Sequence, residues 1–175
     1  VELLGQQMTF LTDAGVFSKK MIDYGSRVLL STLDFGKGET LLDVGCGYGT
    51  LGLTLAKAQT LKVTLVDINQ RALDLTRKNA VANQVSAEIF QSNVYENVTG
   101  KFQHIISNPP IRAGKRVVHE VISGSYDHLL DDGDLTIVIQ KKQGAPSAKA
   151  KMEEVFGNCE TLKKDKGYYI LRSVK

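Results

Sequence analysis

The sequence predicts an α/β fold, in which a mostly parallel sheet is covered by helices on both faces. Two observations support this fold class. Short apolar runs alternate with helix-like stretches along most of the chain, and such alternation is typical of βαβ units with right-handed crossovers. Near the end of the chain, two β-rich runs are joined by residues 165–167 (DKG). A turn of this type favours a C-terminal antiparallel hairpin that closes the edge of the sheet.

The individual elements follow from hydrophobic periodicity and from turn and capping signals. The apolar runs predicted to form parallel strands are residues 40–44, 63–67, 87–91, 102–107 and 135–140. Helices are predicted at residues 21–33, 50–58, 70–83 and 117–130, with Asp23 capping the first of them. The hairpin strands are predicted at residues 159–164 and 168–174.

Length and composition indicate one folded domain. The chain has 175 residues, of which 42% are hydrophobic and 23% charged, and this excludes a disordered or collagen-like protein. We assign residues 1–175 to a single domain, in which residues 1–38 form an N-terminal strand and helix segment and residues 39–175 form the core. Because the chain begins at Val1 rather than Met, we expect a segment upstream of it to be missing.

Cysteine and histidine usage bears on compartment and metal binding. Cys46 and Cys159 are too few for a disulfide framework or a cysteine-only zinc site, which favours a reducing, cytoplasmic environment. The apolar runs fall well short of the roughly 20 residues that a membrane span needs. None of the histidines has a partner at metal-ligand spacing, so no metal site is predicted. His104 lies inside an apolar strand and is expected to be a satisfied core histidine.

The net charge of +3 is unevenly distributed along the chain. The first 110 residues hold ten basic and ten acidic side chains, so the surplus lies in the last third. The basic residues of interest there are Arg112, Lys115, Arg116, Lys141 and Lys142. A polyanionic partner would need such a patch, but on charge alone a solvated, mixed-charge surface is the simpler explanation.

A glycine-rich loop, residues 43–49 (DVGCGYG), follows the first core strand and opens a helix. Glycines let the backbone pass close to a ligand, and the free N–H groups of a helix N-terminus suit an anionic or polar ligand edge. The spacing Gly47-x-Gly49-x-x-Gly52 also matches the dinucleotide fingerprint, and Asp67 follows Gly47 by 20 residues. Asp67 is predicted to bind ribose hydroxyls, with helix capping as its alternative role. The loop alone therefore leaves a nicotinamide-dependent oxidoreductase open.

A second motif, residues 107–110 (SNPP), directly follows the fourth apolar strand. Two prolines do not continue a central strand, so they predict a rigid loop at the carboxyl edge of the sheet. Asn108 offers a side-chain carbonyl, and Pro109 offers a backbone carbonyl next to a fixed ring. Two converging acceptors suit a planar amino group with two N–H donors. A plain turn that ends the strand would explain the prolines but not the asparagine.

Together, DVGCGYG, VDINQ and SNPPI resemble the class I S-adenosylmethionine-dependent methyltransferases. The resemblance implies a Rossmann-like, seven-stranded, mostly parallel sheet, and the Asn-Pro-Pro box marks the branch that methylates exocyclic or amide nitrogens. Residues 15–18 and 23–26, NPPIRAGK and KGYYILR are similar to the bacterial small-subunit (16S) ribosomal RNA guanine-N2 methyltransferases. The likeness covers nearly the whole chain and matches the single-domain, stand-alone form.

The resemblance also implies roles for individual residues. S-adenosylmethionine would contact Asp43, Gly45, Gly47, Gly49, Asp67, Ile68, Asn93 and Asn108. The target amine would be held by Asn108, Pro109, Pro110 and Ile111. Asn93 stands where the family more often has an aspartate beside the adenine amino group, and it keeps a carbonyl acceptor.

The implied function is guanine-N2 methylation of small-subunit ribosomal RNA, bound through the basic residues after position 110, with neither membrane nor metal. The wider nitrogen-methylating class usually carries an aromatic residue where this chain has Ile111, which counts against adenine-N6 and glutamine-N5 enzymes. Phe17 is a candidate for stacking on the base instead. The alternatives are methylation of another nitrogen (in other RNA, DNA or protein glutamine), a degenerate domain that only binds, and a dinucleotide oxidoreductase, which gives the Asn-Pro-Pro box no role.

Overall fold

The computed structural model describes residues 1–13, 15–16 and 22–175, with residues 15, 16 and 111 described by their backbone. The strands, in chain order, are β1 Glu2–Leu3, β2 Gln6–Gln7, β3 Leu11–Thr12, β4 Gly15–Val16, β5 Thr40–Val44, β6 Lys62–Asp67, β7 Ala87–Gln91, β8 Phe102–Ser107, β9 Leu129–Gln140, β10 Glu160–Asp165 and β11 Tyr168–Val174. The helices are α1 Tyr24–Thr32, α2 Thr50–Gln59, α3 Gln70–Ala82, α4 Gly114–Ser125 and α5 Ala145–Phe156.

The core of the molecule is a seven-stranded sheet in the order β10-β11-β9-β8-β5-β6-β7. Strands β5 to β9 pair in parallel, whereas β11 lies antiparallel between β9 and β10. Helices α1, α2 and α3 bury leucines and valines against one face, and α4 and α5 pack against the other. The predicted α/β class, the mostly parallel sheet and the C-terminal hairpin are therefore confirmed.

Most predicted elements are confirmed to within a residue. Strands β5, β7, β8 and β11 have the predicted bounds, β6, α2 and α3 differ by one residue at one end, and β10 is shifted by one residue at both ends. Helix α1 begins at Tyr24, and its predicted cap Asp23 accepts a hydrogen bond from the Ser26 N–H at 3.3 Å. Residue 21, the predicted start of this helix, lies outside the described residues. The hairpin turn has positive φ at both Lys166 and Gly167, which is the geometry of a two-residue type I′ turn.

The boundary between α4 and β9 corrects the sequence-based prediction. The pattern predicts a helix up to residue 130 and a strand from 135, but α4 ends at Ser125 and β9 begins at Leu129. Pairing with β8 starts at Leu129 and resumes at Asp134 after a bulge. Within the bulge, a Cβ on Gly133 would lie 2.8 Å from a β8 carbonyl oxygen. The sequence pattern did not indicate the start of β9 because this polar bulge interrupts the alternation of apolar and polar residues.

Helix α5 was missed by the sequence-based prediction. Its signals are a proline in the first turn, after Gly144, and Gly157 in the left-handed conformation at the C-terminus. Ala145, Ala148 and Met152 form its buried face. Small residues give this face little hydrophobic contrast, so the periodicity was weak. In the described part of the chain, no helix is long and apolar enough to cross a membrane.

Two buried asparagines, Asn79 within α3 and Asn83 at its C-cap, hold the N-terminal segment in place. Asn83 accepts from the Thr9 N–H at 2.8 Å and donates to the Thr9 carbonyl at 2.7 Å. Asn79 likewise accepts from the Leu11 N–H at 2.6 Å and donates to the Leu11 carbonyl at 3.1 Å. Side chains four residues apart share a helix face, and alternate residues of an extended chain present their backbone groups to one side. The amides thus hydrogen-bond the backbone of this segment much as a neighbouring strand would, and Thr12 lines the cavity described below.

Candidate functional site

A cavity of about 810 Å³ lies where the carboxyl ends of β5, β6 and β8 meet. The chain runs from β5 towards β7 on one side and from β8 towards β9 on the other, so this is the switch point of the sheet. Ligands of open α/β sheets bind at such points. Both predicted motifs reach this cavity, since the glycine loop lines one part and residues 108–110 line another.

Within the glycine loop, Gly45 and Gly47 line the cavity at φ of +75° and +57°, a region that disfavours side chains. Apart from the glycine and the residues next to it in the chain, no protein atom lies within 4 Å of the position of a Cβ on either residue, so a ligand can approach their backbone. Gly49 plays a different part and is not among the cavity-lining residues. A Cβ there would lie 2.8 Å from Leu53 and 3.0 Å from Thr76, so this glycine lets α2 and α3 pack closely.

Asp67 lies at the tip of β6, on the cavity wall. Its Oδ2 accepts from the Gly47 N–H and its Oδ1 from the Asn69 N–H, each at 2.9 Å. A carboxylate oxygen can accept more than one hydrogen bond, so both oxygens keep capacity for ligand hydroxyls. The alternative capping role belongs to Asn69, whose side chain accepts from the N–H groups of Arg71 and Ala72.

Asp43 supports the loop from behind and does not line the cavity. It is 1% exposed, and its Oδ2 accepts from the Gly52 N–H at 3.1 Å. Its Oδ1 is buried and has no hydrogen-bond partner among the described residues. Burial, reinforced by the charge of Asp67, raises the pKa of Asp43 to about 7 despite the bond from Gly52. Any influence of Asp43 on a ligand must pass through the loop.

Two residues of α3 that sequence reasoning missed also shape the loop. Thr76 donates to the Gly47 carbonyl at 2.6 Å, and Asn79 donates to the Tyr48 carbonyl at 2.8 Å. Both side chains are fully buried. The available signal was two polar residues three positions apart on a helix that otherwise buries leucine and alanine there. The loop is therefore pinned at Gly47 by its N–H and by its carbonyl.

The part of the cavity next to β6 and β7 combines apolar and polar groups. Ile68 lines it and is 59% exposed, which is unusual for a large aliphatic side chain. Asn93 also lines it, with its side-chain amide unpaired among the described residues. The adjoining turn is held by Ser92, whose Oγ donates to the Val94 carbonyl at 2.7 Å and accepts from the Asn97 N–H at 3.0 Å. An apolar face beside an amide suits a heteroaromatic ring.

Asn108 is held by the start of α1. Its Nδ2 donates to Asp23 Oδ2 at 2.7 Å and to Ser26 Oγ at 2.8 Å. With both amide hydrogens used, the carbonyl Oδ1 remains the free acceptor of the side chain. The neighbouring Pro109 carbonyl accepts a long hydrogen bond, 3.4 Å, from Gln143 Nε2 and retains a second lone pair. The two residues that carry these acceptors, Asn108 and Pro109, both line the cavity.

The remaining predicted residues are distributed as follows. Pro110 and Arg112 line the cavity. Lys115 and Arg116, at the start of α4, and Lys141 and Lys142, just after β9, are exposed and are not among the lining residues. Ile111 begins a 3-10 turn and is described by its backbone alone, and Phe17 lies outside the described residues. Cys46 lines the wall, and burial raises the pKa of its thiol well above the usual range, which disfavours the reactive thiolate. No group of three or more His, Cys, Asp or Glu side chains that could hold a metal occurs among the described residues.

The donor set fits a nucleoside joined to a charged amino acid. Open glycine backbone, the Asp67 carboxylate and the apolar and amide wall at Ile68 and Asn93 offer a separate contact for each part of such a molecule. A seven-stranded sheet of this order, with a glycine loop after its first core strand and Asn-Pro-Pro after its fourth, defines an S-adenosylmethionine-dependent methyltransferase.

The chain belongs to the methyltransferase small domain family, whose model matches residues 7–172. This assignment decides against the oxidoreductase hypothesis. The uncharacterized protein YbxB of Bacillus subtilis is 46% identical, over 99% of this chain and 89% of that protein. The ribosomal RNA small subunit methyltransferase C of Erwinia tasmaniensis is 36% identical, over 97% of this chain and 50% of that protein.

Solved structures agree with this family. The Thermus thermophilus 16S rRNA N2 methyltransferase RsmC, in complex with AdoMet and guanosine, matches with a TM-score of 0.88 and 29% identity, over 100% of this chain and 49% of that one. A methyltransferase from Pyrococcus furiosus shares the fold, with a TM-score of 0.74 and 23% identity. The chain spans about half the length of the ribosomal RNA methyltransferases that it matches.

Proposed function

We propose that this protein transfers a methyl group from S-adenosylmethionine to the exocyclic N2 amine of a guanine in small-subunit ribosomal RNA. The observation that carries the proposal is the free Asn108 carbonyl oxygen beside the Pro109 carbonyl, in the same cavity as the glycine loop. Support for the substrate comes from relatives named as small-subunit ribosomal RNA methyltransferases, one of them solved with guanosine.

The cofactor is assigned to the part of the cavity formed by the glycine loop and the tips of β6 and β7. Gly45 and Gly47 would contact its amino-acid part, Asp67 its ribose, and Ile68 and Asn93 its adenine. Asp43 and Gly49 would act indirectly, by shaping the loop. When bound, S-adenosylmethionine supplies an electrophilic methyl group on a sulfonium.

Asn108 and Pro109 prepare the nucleophile. An exocyclic guanine amine is weakly nucleophilic because its lone pair is delocalised into the ring. Donating its two N–H groups to Asn108 Oδ1 and the Pro109 carbonyl would orient the lone pair and stabilise the positive charge that develops on nitrogen. As the nitrogen–carbon bond forms, the sulfur–carbon bond breaks, and the alkylated nitrogen then releases a proton to water. That proton is acidic enough to leave without a general base.

The basic side chains around the cavity would contact the RNA backbone. Arg112 lies in the cavity wall, and the other basic residues of this surface, Lys115, Arg116, Lys141 and Lys142, are exposed. A guanine within structured RNA must leave its stack to reach Asn108, at a cost of a few kcal/mol. Phosphate contacts offset such a cost independently of sequence.

The test is methylation of small-subunit RNA, free and within the assembled subunit, followed by mass spectrometry of the digested nucleosides. We expect N2-methylguanosine with the wild type. Asn108→Ala should bind S-adenosylmethionine with unchanged affinity in calorimetry but lose activity by about 100-fold or more, the scale of losing an oriented acceptor at the reacting atom. Asn108→Asp should also fail, because its charge alters the site and the bond to Asp23 becomes a repulsion.

Three outcomes would contradict the proposal. They are absence of RNA methylation, a product methylated at another nitrogen, such as adenine N6 or a protein glutamine, and an Asn108→Ala enzyme of nearly wild-type turnover. The third outcome would leave the Asn-Pro-Pro box as a rigid turn that ends β8.

A further inference from the structure

We propose that Asp23 and Ser26, at the start of α1, are positioning residues for methyl transfer. They hold the Asn108 amide in the orientation that leaves its carbonyl oxygen free for the target amine. This inference rests on the proposed function and adds to it residues that lie more than 80 positions away in the sequence.

The identity of the partners determines the orientation of the amide. A carboxylate can only accept hydrogen bonds, so the part of Asn108 that faces Asp23 must be the NH₂ group. Turning the amide over would place Oδ1 against Asp23 Oδ2, where the 2.7 Å contact would become repulsive. Ser26 Oγ accepts the second hydrogen at 2.8 Å. An asparagine without these partners has two nearly equivalent orientations, and only one of them serves the proposed reaction.

Capping fixes the position of Asp23. The same Oδ2 that receives the Asn108 amide also accepts from the Ser26 N–H at 3.3 Å. The Asp23 carbonyl accepts the first backbone bond of the helix, from the Arg27 N–H at 3.1 Å. The carboxylate is therefore held by the helix that it caps, and Ser26 is 7% exposed. The two partners of Asn108 are part of one rigid helix start.

The start of α1 is itself seated on the C-terminal hairpin. Tyr24 donates its hydroxyl to Asp165 Oδ2 at 2.9 Å. A Cβ on Gly25 would lie 2.8 Å from the ring of Tyr168, so glycine allows the helix to approach the hairpin this closely. Each residue of the segment 23–26 (DYGS) thus has a contact of its own. The hairpin helps to position Asp23 through its contacts with Tyr24 and Gly25.

Charge gives Asp23 a second effect. Hydrogen bonds to an ionised acceptor are stronger than neutral ones, and adjacent hydrogen bonds polarise one another. Donation to Asp23 therefore increases the negative charge on Asn108 Oδ1. The target amine gains positive charge only as the methyl group arrives, so this polarisation stabilises the transition state more than the bound substrate.

The kinetic test uses Asp23→Asn, which preserves a good helix cap and similar shape but removes the charge and allows the amide to turn. We expect kcat to fall about tenfold, the scale of one charge-assisted hydrogen bond, while KM for RNA and the Kd for S-adenosylmethionine change by less than about twofold. Asp34→Asn makes the same change just beyond the other end of α1 and is the matched control. Wild-type kcat in Asp23→Asn would overturn the proposal.

Coupling to Asn108 separates positioning from stability. If Asp23 acts through Asn108, Asp23→Asn should cause no further loss of kcat in an Asn108→Ala background. A role confined to capping α1 would instead give the same loss in both backgrounds and contradict the proposal.

A measurement without substrate keeps this inference distinct from the proposed function. In NMR spectra of the free protein, the Asn108 side-chain amide, identified by its absence in Asn108→Ala, should show two resolved protons with slowed solvent exchange. Asp23→Asn should shift both protons and speed their exchange. If the wild type fails to methylate RNA, the proposed function fails, and the amide spectra still decide whether Asp23 holds Asn108. Unchanged spectra in Asp23→Asn would refute the assignment.

Discussion

At the scale of single residues, Asp67 has a structural role in the protein and a proposed role in ligand binding. Its two oxygens accept hydrogen bonds from the Gly47 and Asn69 N–H groups, and the residue lines the cavity. A loss of affinity in an alanine variant would therefore combine lost ligand contacts with a loosened loop. Asparagine keeps one acceptor and the size of the side chain, so it should disturb the loop less than alanine does.

We predict that Asp67→Asn weakens S-adenosylmethionine binding about tenfold, because an amide accepts hydrogen bonds from ribose hydroxyls less well than a carboxylate does. Asp67→Ala should weaken it further. Calorimetry gives the Kd, and a circular dichroism melt checks that the fold is intact. The control is Asp74→Asn, which changes an exposed carboxylate of α3 that pairs with Arg77. An unchanged Kd in Asp67→Ala would remove Asp67 from the cofactor site.

At the scale of elements, the short 3-10 turn Lys141–Gln143 joins the basic surface to the Asn-Pro-Pro loop. Gln143 donates to the Pro109 carbonyl, while Lys141 and Lys142 are exposed beside it. A phosphate bound by these lysines would thus lie next to the proposed acceptors of the target amine. RNA contact and an ordinary solvated surface remain the two alternatives for these lysines, and the link through Gln143 makes them the residues to test.

Reversing both charges, with Lys141→Glu and Lys142→Glu, should weaken RNA binding and reduce the slope of log K against log salt by about 1.5 to 2. The Kd for S-adenosylmethionine should stay the same. Filter binding across a salt series measures both the affinity and the slope. Lys37→Glu with Lys62→Glu places equal charge at the amino ends of the strands, away from the cavity. If RNA affinity is unchanged by Lys141→Glu and Lys142→Glu, these lysines belong to an ordinary solvated surface.

At the scale of the whole molecule, a polar network crosses the sheet at the end opposite the cavity. His104 of β8 contacts Asp134 of β9 at 2.6 Å and Glu39, just before β5, at 3.0 Å. Asp134 also accepts from Arg172 of β11 at 2.8 Å. The ring of Phe35 stacks on the imidazole of His104, with the ring centroids 3.8 Å apart. The expectation of a satisfied histidine is met, and its partners come from β9 and from the loop between α1 and β5.

The network makes stability depend on pH. Burial by itself lowers the pKa of His104, but the two carboxylates outweigh it and the pKa lies above its ordinary 6.5. His104 is correspondingly the first cause of the lowered pKa of Glu39. A raised pKa stabilises the fold below pH 6.5, and this contribution is lost as pH rises through the folded-state value. Asp43, with a pKa raised to about 7, acts in the same direction.

We therefore predict that His104→Gln lowers Tm at pH 6 by a few degrees and that its difference from the wild type shrinks by pH 8.5. Thermal melts at the two pH values measure it. His128→Gln is the control, since that ring contacts the Gly100 carbonyl and Tyr95 rather than a carboxylate. A difference that stays constant with pH would show that His104 contributes packing alone.

Local patterns determined most of the secondary structure and both motifs. The strand β5, the glycines with positive φ, the prolines after β8 and the type I′ turn at Lys166-Gly167 each depend on the conformational preferences of a few adjacent residues. Such preferences act in the same way wherever the segment lies. The sequence could therefore predict the fold class and the two sides of the cavity before any contact was known.

Only the tertiary structure decided how distant residues complete the site. Asp23 and Ser26 meet Asn108, Thr76 and Asn79 pin the glycine loop, and Asp43 lies behind that loop. These contacts depend on how α1 and α3 are seated against the sheet, which hydrophobic periodicity along one element does not specify. Likewise, the bulge that starts β9 is defined by its pairing with β8. A hydrogen bond needs both partners placed to within a few tenths of an ångström, and only packing of the whole chain supplies that precision.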